Sequence, residues 1–384
     1  MIKTSYMSLS RKLLQPIILI FLGLLFTVIF ITRQTTPAVP VTAVNFLGEA
    51  TISTGFSFQG TELGGLSGIT YDSTKDVYYA VSDDRSEKAL ARFYTLQINL
   101  NQGLQQGNVT PLKVTTLLNT ENQPFERYRI DAEGIAVTNR ETVFISSEGD
   151  AQRLINPFIK EFSLTSGKEL RSLPIPERFL PTASRDRGIR NNNAFESLTV
   201  TPNQQYLYTA TENALLQDEP IGRPDTSSPC RILQYDLRSG KRSHEYLYIT
   251  EAVPTQINLP RFMRVGLVDL FAVDDNGNFI SLERAFTGLG YSIRLYEVSL
   301  TDADDISDIE SLRQVELSSI KPVKKRLLLD LKTLKNVTLD NIEGVTLGPA
   351  LTDGRSLLLV SDNNFQPAQR TQFLAFTIQS QSND

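Results

Sequence analysis

The sequence predicts an all-β protein: a β-propeller of five four-stranded blades, preceded by one N-terminal transmembrane helix. Three observations carry the propeller: a unit that recurs five times, strand-like composition within each unit, and a strand missing at one end that is found at the other.

The first segment of the unit occurs as GLSGITYD (65–72), DAEGIAVT (131–138), FESLTVTP (195–202), LVDLFAVD (267–274) and IEGVTLGP (342–349). A second strand follows, ending in an acid: YYAVSDD (78–84), VFISSEG (143–149), LYTATEN (207–213), FISLERA (279–285) and LLLVSDN (357–363). The third segments are RFYTLQI (92–98), PFIKEFSL (157–164), RILQYDL (231–237), IRLYEVSL (293–300) and TQFLAFTI (371–378). β-Branched and aromatic residues in short runs, separated by turn residues, are strand grammar. Fourth strands follow in four units: KVTTLL (113–118), KELRSLPI (168–175), EYLYIT (245–250) and VKKRLLLDL (323–331). The fifth unit runs out of chain, and VNFLGEATI (44–52) ahead of the first unit supplies its fourth strand. Six blades is the alternative, if a long insert forms a blade of its own. The propeller is expected over 44–380, with a short tail at 381–384.

Residues 13–31, LLQPIILIFLGLLFTVIFI, carry no charge and lie between Arg11-Lys12 and Arg33. A helix rising ~1.5 Å per residue just spans a bilayer over that length. The basic bias places tail 1–12 in the cytoplasm and the main domain outside it, as a single-pass membrane protein. The small-residue site Val41-Thr42-Ala43 is far from the apolar run, which favours a retained anchor over a cleaved signal. Residues 32–43 are then a proline-stiffened linker.

Composition narrows the chemistry. The first 33 residues hold four basic groups and no acid; removing them leaves 34 basic against 43 acidic residues, a net charge of −9. That balance argues against nucleic acid as a partner and suits cations. The single cysteine, Cys230, excludes an intramolecular disulfide and a thiolate metal cluster, and the single histidine, His244, excludes a two-histidine metal site.

Acids recur at matching repeat positions. The second strands supply Asp83, Glu148, Glu212, Glu283 and Asp362 as candidate metal ligands. The first strands supply Glu133, Glu196, Asp269 and Glu343, with Ser67 in that place in the first unit. If first strands line the axis, these carboxylates converge on one mouth and repel unless a cation or arginine neutralises them. Oxygen-only ligands select calcium, with magnesium as the alternative. Glu133, Glu196 and Glu343 are the candidate catalytic carboxylates, and Arg129, Arg185, Arg187 and Arg190 the candidate anion-binding groups. A purely structural role, pinning blade to blade, is the competing reading of the acids. Arg284, directly after Glu283, is read as the partner of a buried acid. TDADDISDIE (301–310) lacks the glycine of a calcium loop and is read as a solvated acidic loop.

The runs DAEGIAV, RGIRNNNAFESLTVTP, FISLERAF, LDNIEGVTLGP and LLLVSDNNFQPAQRTQFLAF resemble motifs of the phytase-like domain, also described as having esterase-like activity. The resemblance covers roughly 45–380 and implies a propeller that hydrolyses phosphate esters or other esters, with a small phosphorylated or ester molecule as substrate. The alternative is a non-catalytic propeller that presents loops to a ligand or protein partner.

Overall fold

The computed structural model describes Met1 and residues 41–254 and 263–380. The propeller lies in the second of two compact units, Ala38–Asp384. The span expected at 13–31 lies outside the described residues, as do 2–12, linker residues 32–40 and tail 381–384. Among the described residues no helix is long and apolar enough to cross a membrane.

Five antiparallel four-stranded sheets form five blades, and a two-stranded hairpin (Ser57–Phe58, Thr61–Glu62) precedes the first. From the inner strand outward, blade 1 is Leu66–Asp72, Val77–Ser82, Arg92–Ile98 and Val109–Thr116. Blade 2 is Ala132–Val137, Thr142–Ser147, Phe158–Ser163 and Glu169–Leu173. Blade 3 is Phe195–Val200, Tyr206–Thr211, Pro229–Asp236 and Lys241–Ile249. Blade 4 is Arg264–Ala272, Asn278–Phe286, Tyr291–Ser299 and Lys324–Asp330. Blade 5 is Asn341–Leu351, Gly354–Asp362 and Arg370–Ser380, completed by Val41–Ser53 from the other end of the chain. That closing strand runs from Val41 opposite Ser380 to Ser53 opposite Arg370. It begins at Val41, so residues 41–43, expected to end the linker, belong to the sheet.

The inner strands touch in a ring, each packed on its neighbours. Apolar side chains fill the seams between blades. Tyr78, Leu96, Leu358 and Phe373 lie between blades 5 and 1, while Phe144, Ile159, Phe195 and Leu233 lie between blades 2 and 3. Small residues let the inner strands meet at the axis. A Cβ on Gly68 would stand 2.4 Å from the Glu133 carbonyl oxygen, and one on Gly134 would stand 2.8 Å from that of Glu196.

The acids of the loop at 301–310 are mostly exposed, as expected of a solvated acidic loop, but its apolar residues anchor the segment 301–323 to blade 3. Ile306 and Leu312 are buried against Leu247 of blade 3, Asp305 accepts the Glu245 N–H, and Glu310 pairs with Arg178 at 2.7 Å. Beneath it, fully buried Arg231 donates to Asp218 at 2.6 Å and to Glu245 at 3.0 Å. The loop joins this buried network because Asp218 Oδ1 also accepts the Leu312 N–H at 2.8 Å and Arg178 bridges Glu245 and Glu310.

Candidate functional site

At one end of the axis the inner strands begin and the second strands end. In each blade a bulge interrupts the pairing near that end. The residues set out of register are Ser67, Glu133-Gly134, Glu196, Val268 and Glu343. A bulge re-aims a side chain that the ladder would otherwise direct to a face of the sheet. Glu133, Glu196 and Glu343 thereby line the axial cavity of about 670 Å3, with Asp83 and Asp362 from the second strands.

The second-strand residues are held alike from blade to blade. The N–H groups of Asp83, Glu148 and Glu212 donate to the carbonyls of Gly65, Asp131 and Ala194, the residues just before each inner strand. In blade 4 the residue opposite Gly266 is Arg284, and in blade 5 the residue opposite Asn341 is Asp362. The fourth member of the second-strand ring is therefore Arg284, one residue beyond Glu283. Glu283 instead enters the seam toward blade 3, accepting from Tyr248 Oη at 2.8 Å, the Glu251 N–H at 3.0 Å and Lys325 Nζ at 2.7 Å. Asp269 is likewise displaced from the first-strand ring by Val268. It accepts the Leu270 N–H at 2.8 Å and the Val345 N–H at 2.7 Å, tying blade 4 to blade 5.

Arg284 crosses the mouth. It donates to Asn341 Oδ1 at 2.6 Å and lies 3.1 Å from both Glu212 and Glu343. On the other side Arg85 grips Asp131 through Nε and Nη2, each at 2.7 Å, and reaches Asn192 Oδ1 at 2.6 Å. Carboxylate oxygens of Asp131, Glu133 and Glu148 lie within 4.8 Å of one another, all three residues being buried. Glu148 Oε1 accepts the Ala194 N–H, while its Oε2 is buried with no hydrogen-bond partner among the described residues. Asp83 Oδ1 is in the same state.

These carboxyls are crowded and largely buried. Burial raises Glu133, Glu148, Glu196 and Asp83 well above the usual carboxylate range, and their negative neighbours add to the rise. Burial lifts Glu343 to about 8 against the pull of Arg284, and Asp131 to about 6 against that of Arg85. Asp362 rises to about 6, again chiefly by burial. Eight carboxyls (Asp83, Asp131, Glu133, Glu148, Glu196, Glu212, Glu343 and Asp362) thus share two guanidinium groups. Buried acids carry such a surplus only as protons or with further cations. Oxygen donors with lone pairs to spare fit a hard divalent cation.

The four arginines expected to bind anions separate. Arg187 pairs with Glu177 at 2.6 Å, and Arg129 stands 3.9 Å from Glu126, both on the exposed surface. Arg185 occupies an exposed turn with φ of 56°. Only Arg190 reaches a cavity beside the mouth, of about 490 Å3. Sequence reasoning missed Asp131 as a site residue and put Arg284 outside the ring. The signal for Asp131 was its place two residues before Glu133.

A family model matches residues 61–365, under the description "Phytase-like: Esterase-like activity of phytase". The chain belongs to the phytase-like family. No curated protein matches the sequence. Among solved structures, this phytase-like propeller is similar to the catalytic domain of Coprinopsis cinerea GH62 α-L-arabinofuranosidase. There the identity is 8%, the TM-score 0.43, and 87% of this chain and 97% of that one are covered. An endo-arabinase from Bacteroides thetaiotaomicron gives 10% identity, a TM-score of 0.41 and coverage of 84% and 96%. A putative 6-phosphogluconolactonase from Bacteroides uniformis gives 12%, 0.35, 88% and 92%.

Proposed function

We propose that this phytase-like propeller is an extracytoplasmic, membrane-anchored hydrolase of phosphate esters or other esters, dependent on a divalent cation held at the axial mouth. The observation that carries the reading is the pair of buried carboxylate oxygens without partners among the described residues, Asp83 Oδ1 and Glu148 Oε2, in a ring whose carboxyls outnumber the guanidinium groups paired with them. Asp131, Glu133 and Glu148 are the favoured ligands, since their oxygens lie within 4.8 Å of one another. Calcium suits a flexible, carboxylate-rich oxygen shell, and magnesium is the alternative. A bound divalent cation would acidify a water molecule and draw charge from an ester oxygen.

The chain's own groups supply the rest. Glu343, lifted to about 8, can take or give a proton near neutral pH. Glu196 and Glu133 flank it in the same cavity, and Arg284 sets the position of the Glu343 carboxylate. The uncharged run at 13–31, with its basic flank, supports the anchor and the outward placement of the propeller.

The test is hydrolysis by the full chain of phytate, simple phosphomonoesters and carboxyl esters, with calcium, with magnesium and with chelator. Calcium-dependent turnover that falls at least about a hundredfold in Glu343→Gln would support the reading. Intact substrates under every condition would overturn it and leave a binding propeller.

A further inference from the structure

Beside the acidic mouth lies a cavity of opposite charge. Four arginines (Arg190, Arg223, Arg264 and Arg284) line it, against one lining carboxylate, Glu212. Glu212 is already engaged, by Arg284 at 3.1 Å and by the Asn193 amide. Outside the lining, Glu219 stands 3.5 Å from Arg190 but also 3.4 Å from Arg313, and it is half exposed. Among the described residues no carboxylate pairs with Arg264. Arg223 keeps contacts of its own.

The arginines feel one another. Arg190 is held below the ordinary guanidinium range, first by burial and then by the like charges of Arg223 and Arg264, against the pull of Glu219. Its Nε is fixed on the Ala214 carbonyl at 2.9 Å, so the guanidinium is oriented by the protein. Like charges gathered in a half-enclosed cavity make a standing cost that a bound anion removes. Guanidinium forks match the paired oxygens of a phosphate or sulfate.

We infer that this cavity is an anion subsite that takes a phosphate-like oxyanion, with Arg190 and Arg264 as its principal grips. It shares Asn192, Arg284 and Phe286 with the carboxylate mouth, so one small molecule can occupy both. The substrate class that follows carries two anionic groups, one at the mouth and a second in the arginine cavity. That extension rests on the hydrolase reading, whereas oxyanion binding in the cavity does not.

The experiment is calorimetric titration of inorganic phosphate into the full chain in chelator, at constant ionic strength, so that no cation or turnover is involved. One saturable phosphate is expected, weakened about tenfold in Arg264→Gln and again in Arg190→Gln, and unchanged in Arg187→Gln. Should Arg190→Gln lower the melting temperature too far to titrate, exposed Arg264 decides the matter alone. Absence of saturable binding, or binding indifferent to Arg264→Gln, overturns the subsite. The hydrolase reading fails separately: phosphate still binds in chelator while no ester is turned over in calcium.

Discussion

Lowering the pH of the cation-free protein from about 8 to about 6 should stabilise it, contrary to the usual behaviour of paired acids. The reason is Glu343, whose carboxyl rises from 4.5 to about 8 on folding because burial outweighs the help of Arg284. A group whose folded pKa is raised binds its proton in the native state before the unfolded chain does. Stability therefore grows as pH falls through the folded value and levels off near the unfolded one. For this single group the gain between about pH 8 and about pH 6 is about 2 kcal/mol, or roughly 3 °C in melting temperature for a domain of this size. Glu133, Glu148, Glu196 and Asp83 shift in the same direction and can only add to it. Calcium should reverse the trend, since it competes with those protons and binds best when the carboxylates are charged. The assay is differential scanning fluorimetry in chelator and in calcium, repeated in Glu343→Gln and in Glu148→Gln. His244→Gln serves as a background that removes the one histidine. Glu343→Gln should flatten the chelator profile, and Glu148→Gln should blunt the calcium shift. A melting temperature in chelator that falls between about pH 8 and about pH 6 would refute the argument that these carboxyls are desolvated.

Two further outcomes follow from the packing. Gly68→Ala would put a Cβ 2.4 Å from the Glu133 carbonyl of the next blade, an overpacking worth ~1–3 kcal/mol by urea unfolding; an unchanged midpoint would mean that the inner strands do not meet this closely. Arg231→Met would leave Asp218 and Glu245 buried without their shared partner, a loss of ~3–5 kcal/mol by the same measurement; a neutral result would mean that these buried acids do not depend on Arg231.

Much of the architecture was legible because it depends on local pattern. Inner strands such as LSGITYD and FESLTV are buried along nearly their whole length, so they read as short apolar runs wherever they occur. The spare strand was legible for a topological reason: a fifth unit lacking its outer strand needs one from elsewhere. Val41–Ser53 supplies it. Glu133, Glu196 and Glu343 were found because three blades place an acid at the same bulge.

Blade 4 was not legible in the same way. FISLERAF contains two charged residues in succession, and only the pairing of Leu267 with Glu283 and of Asp269 with Leu282 decides which of them reaches the mouth. A slip of one position moves a strand side chain to the other face, so Arg284 enters the ring while Glu283 joins Tyr248 and Lys325 in the seam. The meeting of Asp131 with Arg85, and of Arg190 with Arg264, joins residues far apart in the chain. By itself the sequence determined a propeller closed by its own terminal strand and an acidic axis, because apolar strand patterns and their repetition are local properties, while the sheet topology decided five blades over six. Only the tertiary structure decided which charges face one another there, because bulge position and the desolvation of each carboxyl are set by neighbours that no local pattern names.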